Sequence, residues 1–184
     1  GEVQRLGGIL AETMRIILQA RPDVRFLIPV AAPRLKPLIV KQLEDANVAL
    51  PFVQLLNGEA QGAMSAADVV VQASGTAVLE AALLRKPTVA TYRVAWLTHF
   101  IAIKLGLVKL THYTLPNLLT EEPLVPEFMQ QDAQPDAIAK SVIALLDNPE
   151  RRRSISERFD RLRQELALDA DQHAADAVIE LARR

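Results

Sequence analysis

The segment Ala67–Arg93 leaves this chain few ways to fold. Val69–Val71 is a short apolar run, Ala73-Ser74-Gly75-Thr76 is a turn of small residues, Ala77–Arg85 has helical spacing, and Pro87–Thr91 is a second apolar run. That order predicts a strand, a tight turn, a helix and a strand. A helix between two strands carries the chain back to its starting edge, so the strands pair in parallel.

The turn is also where chemistry is expected. The first N–H groups of a helix have no partner within the helix, and the helix dipole places partial positive charge there. Such a position accepts a phosphate without needing a basic side chain. Gly75 has no Cβ and permits close approach to the backbone, while Ser74 and Thr76 offer hydroxyls. Glu80 follows Thr76 by four residues, on the same helix face and about 6 Å along the axis. A carboxylate at that distance can accept hydrogen bonds from a ribose whose phosphate rests on the helix start. The same residues also suit an ordinary helix start with a solvated Glu.

The rest of the chain repeats the alternation. Val3–Ala20 reads as an amphipathic helix with Leu6, Ile9, Leu10, Thr13, Ile16, Ile17 and Ala20 inward, weakened at Gly7-Gly8. Val24–Val30 and Phe52–Leu56 read as strands. Arg34–Ala46 is a helix with Leu35, Leu38, Ile39 and Leu43 inward, and Glu59–Ala66 is a short one. Val94–Leu110 is strongly apolar but carries His99, Lys104 and Lys109. It is either a helix packed on the domain or a surface for acyl chains, through Trp96, Leu97, Phe100 and Ile101. Thr111–Thr120 is a loop, Glu121–Gln130 is acidic and broken by prolines, and Ala137–Leu146 is a helix. Asn148-Pro149-Glu150 caps another helix running to about Leu166, with Ile155, Phe159, Leu162 and Leu166 inward. Asp171–Arg183 is the last helix. Repeated strand–helix units predict a parallel sheet covered on both faces.

Composition narrows the functional classes. Half of the 184 residues are apolar and only 4% aromatic, so aliphatic side chains fill the interior. With 21 basic and 22 acidic residues there is no electrostatic case for nucleic acid. The absence of cysteine excludes disulfides and thiolate metal sites. Arg151-Arg152-Arg153 reads as a solvated first turn balanced by nearby acids, and Arg34 and Lys36 also read as solvated. Asp169-Ala170-Asp171 has the form of a D-x-D metal motif, but it opens a terminal helix, where Asp is a good cap. No metal or other cofactor is expected.

Three pieces, in order, resemble lipid-A-disaccharide synthases, glycosyltransferases of the two-domain GT-B fold. They are Ser74-Gly75-Thr76-Ala77 with Leu79-Glu80, Lys86-Pro87 and Tyr92-Arg93; Leu115-Pro116-Asn117-Leu118-Leu119; and Asp171-Gln172-His173-Ala174-Ala175-Asp176-Ala177-Val178. The resemblance implies an α/β, Rossmann-like parallel sheet with flanking helices, the C-terminal half of a GT-B fold. Residues 1–184 then form a single nucleotide-sugar-binding domain with trailing helices from about residue 135. The acceptor domain lies elsewhere.

In the family a strand precedes the position of Gly1. Its place is mid-sheet, so either another segment or chain supplies it or the sheet has a gap, and this chain alone is not expected to be a well-formed monomer. The resemblance names Ser74, Gly75, Thr76, Glu80, Arg93, Asn117, Glu127 and Gln130 as donor-binding. It places the catalytic base in the other half, so no catalytic residue is expected here. By itself Asn117 reads equally as a turn residue serving its own backbone.

The activity implied is condensation of UDP-2,3-diacylglucosamine with 2,3-diacylglucosamine 1-phosphate (lipid X), with inversion and release of UDP. The setting is the cytoplasmic face of a Gram-negative inner membrane, where the protein is peripheral, and a homodimer exchanging C-terminal parts is one possible form. The other readings are another UDP-sugar enzyme of the GT-B fold, such as a UDP-N-acetylglucosamine 2-epimerase or a peptidoglycan N-acetylglucosaminyltransferase, and a non-catalytic interaction module.

Overall fold

The computed structural model describes residues 1–73, 75–93, 112–167 and 178–179. Ser74, the apolar segment Val94–Leu110, the Asp169-Ala170-Asp171 motif and most of the last expected helix lie outside the described residues.

Among the described residues the elements are α1 (Glu2–Ala20), β1 (Phe26–Val30), α2 (Lys36–Asp45), β2 (Val53–Asn57), α3 (Ala60–Ala66), β3 (Val70–Ala73), α4 (Thr76–Leu83), β4 (Thr88–Tyr92), α5 (Leu115–Leu119), β5 (Glu127–Met129), α6 (Pro135–Leu146) and α7 (Pro149–Leu166). All strand pairs are parallel. Phe26 faces Val53 and Val30 faces Asn57 across β1–β2. Val70 faces Thr88 and Ala73 faces Thr91 across β3–β4. Ala90 faces Glu127 and Tyr92 faces Met129 across β4–β5. The α/β reading with a covered parallel sheet is therefore met.

The sheet is in two parts, β1-β2 and β3-β4-β5, with no ladder between β1 and β3. An apolar slot of about 230 Å³ lies there, bounded by Leu6, Leu10 and Met14 of α1, Ile28 of β1, Ile39 of α2 and Ala73 of β3. This is the gap expected mid-sheet. Among the described residues the facing edges of β1 and β3 lack strand partners, at the place where a parallel sheet is ordinarily most protected.

Helix α1 holds the two parts together. Ala11 and Met14 join Leu43, Val48 and Ile28 in one core, while Ile17 joins Val78, Val89, Ile138, Ile155 and Phe159 in the other. With α2 on one flank and α6 on the other, α1 buries a broader stripe than its periodicity suggested: Ala11 and Met14 are inside and Ala20 is exposed. Gly7 has a specific use at the α1–α2 contact. A Cβ there would come within 2.0 Å of the Gln42 Oε1, and Gln42 Nε2 donates to the Val3 carbonyl at 3.0 Å.

Three boundaries differ from the sequence reading. Thr111–Thr120 contains the short helix α5, started at Pro116, where a fixed φ suits a first turn. The acidic stretch contains strand β5, set by its pairing with β4. Leu166, expected inside, is exposed, whereas Ile155, Phe159 and Leu162 are buried as expected. The start of α7 is as read: Asn148 Oδ1 accepts the Arg151 N–H at 2.8 Å, with Pro149 following.

Candidate functional site

Parallel strands end together, so the loops after β3, β4 and β5 share one edge. α1 leads into the amino end of β1, which puts its own start at that same carboxyl edge. A side-chain contact fixes the arrangement: Arg5 Nε, one turn into α1, donates to the Arg93 carbonyl at 3.3 Å. The chain runs from β1 to β2 on one side of the slot and from β3 through β4 to β5 on the other. The slot is therefore the point where strand order reverses, and open α/β sheets take ligands outside the strand ends at such a point.

The turn after β3 is open. Gly75 has φ +153° and ψ −159°, a conformation that disfavours any side chain, and among the described residues nothing beyond its chain neighbours lies within 4 Å of where its Cβ would be. α4 begins at Thr76 with no side-chain cap, so its first N–H groups are not claimed by a capping oxygen. Gly75, Thr76 and Glu80 are all exposed. The Glu80 carboxylate makes no hydrogen bond or ion pair among the described residues. The buried Thr91 hydroxyl of β4, in register with Ala73, has no partner among the described residues.

Arg93 closes β4. Its Nε donates to the Gln130 carbonyl at 3.1 Å, which ties the ends of β4 and β5. Gln130 itself has φ +51° and opens a short turn, Gln130–Asp132. Its main chain meets Arg93; its side chain is half-buried.

Asn117 and Glu127 come together, but mainly with their own loop. Asn117 is 4% exposed. Its amide nitrogen donates to the Val125 carbonyl at 2.7 Å and to Glu127 Oε1 at 3.1 Å. Its oxygen accepts the Leu124 and Val125 N–H groups at 2.8 and 2.9 Å. All four hydrogen-bonding positions of the amide are filled. In this arrangement Asn117 serves its own backbone, the second of the two readings the sequence allowed.

Glu127 accepts the Thr114 N–H at 2.8 Å and the Thr114 hydroxyl at 2.6 Å, and the Tyr113 N–H at 3.2 Å. His112 Nδ1 lies 3.6 Å from its other oxygen. The pair clamps residues 112–127 beside α4, which α5 contacts. The clamp was not foreseen because its partners are seven to fourteen residues apart and follow no local repeat. Arg5 was also missed. Its only sequence signal is a cation one turn into a helix whose start faces the expected phosphate.

No group of three or more potential metal ligands occurs among the described residues. A second groove, between the end of α4 and α7 and lined by Arg85, Lys86, Arg153 and Asp160, lies at the opposite end of α4.

The family model for lipid-A-disaccharide synthetase matches residues 1–180. The chain belongs to the lipid-A-disaccharide synthase family. It is 40% identical over 181 residues to a lipid-A-disaccharide synthase of Xanthomonas campestris pv. campestris, covering 98% of this chain and 41% of that protein. The synthase of Pseudomonas savastanoi pv. phaseolicola is 41% identical over 181 residues, 98% of this chain and 46% of that protein. That of Hahella chejuensis is 42% identical over 181 residues, 98% and 45%. The chain thus spans less than half the length of these curated synthases. In family terms, the Rossmann-like half is the part described here.

Proposed function

We propose that this chain is the donor-binding part of a lipid-A-disaccharide synthase, a glycosyltransferase of lipid A biosynthesis. The observation that carries the proposal is the uncapped, exposed start of α4 at Gly75-Thr76, with the unpartnered Glu80 carboxylate one turn on. Main-chain N–H groups there hold the diphosphate of a UDP-sugar, with the hydroxyl of Thr76 and, on sequence grounds, that of Ser74. Glu80 accepts from the ribose. Arg93 adds charge, Gln130 supplies the carbonyl that aims Arg93, and the Asn117–Glu127 clamp fixes the neighbouring loop.

The donor is UDP-2,3-diacylglucosamine and the acceptor is 2,3-diacylglucosamine 1-phosphate. The acceptor hydroxyl attacks the anomeric carbon from the face opposite UDP. The carbon–oxygen bond to the diphosphate breaks, UDP leaves with the electron pair, and the configuration inverts. A base outside this chain takes the hydroxyl proton. Negative charge growing on UDP is met by donors already in place, the condition under which fixed dipoles lower a barrier most. This chemistry requires no metal. Among the described residues no helix is long and apolar enough to cross a membrane, and the lipid substrates place the enzyme peripherally on the inner face of the inner membrane.

Calorimetry with UDP tests the reading. Replacing Glu80 by Ala removes a charged acceptor of two ribose hydroxyls and should weaken UDP binding by about tenfold or more. Equal affinity for the wild type and the Glu80→Ala protein contradicts the assignment.

A further inference from the structure

We propose that Arg5 is a diphosphate-specificity residue, acting with Arg93 as a two-armed clamp at the carboxyl edge. The proposal rests on the donor-site reading and adds to it a residue on α1. Among the described residues each of the two arginine side chains makes one hydrogen bond, through Nε alone and to a main-chain carbonyl: Arg5 to Arg93 at 3.3 Å, and Arg93 to Gln130 at 3.1 Å. The terminal nitrogens of both guanidinium groups have no partner among the described residues.

Their surroundings leave the charge unneutralised. Arg15, Arg21, Arg85, Arg158 and Arg163 all stand within ion-pair distance of a carboxylate. Among the described residues Arg5 and Arg93 do not, nor do Arg25, Arg34, Arg151, Arg152, Arg153 and Arg161; what sets Arg5 and Arg93 apart is the bond that joins them at the carboxyl edge. The Arg5 guanidinium lies back over the first turn of α1, with its terminal nitrogens 3.4 and 3.5 Å from an ideal Cβ on Gly1. Two oriented forks, each aimed by its Nε bond and each with its terminal N–H donors unspent, suit an anion with more than one phosphoryl group. Guanidinium binds phosphate oxygens in pairs, which an ammonium does not. One fork comes from α1 and the other from the residue that follows β4, and the Arg5–Arg93 bond brings them to the same edge; a diphosphate offers a phosphoryl group to each, a monophosphate to one.

Titration of the complete enzyme that carries this chain, and of its Arg5→Gln and Arg5→Lys variants, with UDP, UMP and uridine tests this. Arg5→Gln should weaken UDP by about tenfold, weaken UMP much less and leave uridine unchanged. Arg5→Lys should restore only part of the loss. Arg5 is exposed, so the melting temperature should not move. Wild-type protein that binds UDP, with Arg5→Gln binding it equally well, overturns the role of Arg5 alone. So does an Arg5→Gln variant that loses uridine in proportion, since that loss lies outside the diphosphate. Wild-type protein that ignores UDP overturns the donor-site reading and this inference together.

Discussion

At the scale of residues, polar side chains here divide into those that are fully used and those that are idle. Asn117 is the most fully used. Its amide fills two acceptor and two donor positions inside one loop. Truncating it leaves two buried N–H groups and a carbonyl short of partners, so Asn117→Ala should cost about 2–4 kcal/mol by denaturant unfolding. A cost below measurement error would show that the loop does not depend on it. Thr91 is the opposite case. Its hydroxyl is buried and unpartnered, so the near-isosteric Thr91→Val should be neutral or stabilise the fold by about 1 kcal/mol. Destabilisation would reveal a use for the hydroxyl. The role of Asn117 could not be read from sequence, where a turn Asn and a ligand contact look alike until the bonds are counted. Gly75 could be read, because a strand running into a helix through Ser-Gly-Thr needs a residue free to take an unusual φ.

At the scale of elements, local patterns were enough wherever an element is held by its own periodicity and punctuation. β1, β2, β3, β4 and the helices between them follow from apolar runs and caps, and α7 starts where Asn148-Pro149 says it should. β5 is only three residues long and follows Pro126; it is a strand because β4 offers it an edge, and no local signal shows that. α5 has only five residues and is fixed by the Asn117–Glu127 clamp. The loop between α5 and β5 is also tied to α7, since Arg158 donates to Glu122 at 2.7 Å. That bond, with the guanidinium charge, holds the Glu122 carboxyl below its ordinary range. The folded-state pKa is therefore below the unfolded one. The stabilisation is fully present above the unfolded pKa and fades as pH falls through the lower folded value. Because the pair is exposed, the effect should be small. An acid titration followed by NMR should show the Glu122 carboxyl protonating later than a free Glu, and Arg158→Ala should abolish the difference. No difference between the two proteins would remove the tie.

At the scale of the molecule, the chain is two parallel half-sheets joined across a slot by α1. Amides on the slot-facing edges of β1 and β3 should exchange with deuterium faster than those of β4, which is paired on both sides. A segment or chain that supplies a strand to the slot should slow them. Exchange as slow as in β4 without such a partner would mean the edges are covered in another way. The slot also makes the carboxyl edge a meeting place, with the starts of α1 and α4 and the ends of β4 and β5 within reach of one nucleotide. On the proposed reading a UDP diphosphate sits on the main chain at Gly75-Thr76. Hydrogen exchange of the complete enzyme with and without UDP tests this. UDP should protect the first amides of α4 and Arg93 and leave the groove by Arg85 and Arg153 unchanged. Protection confined to that groove, or none at α4 under saturating UDP, would contradict it.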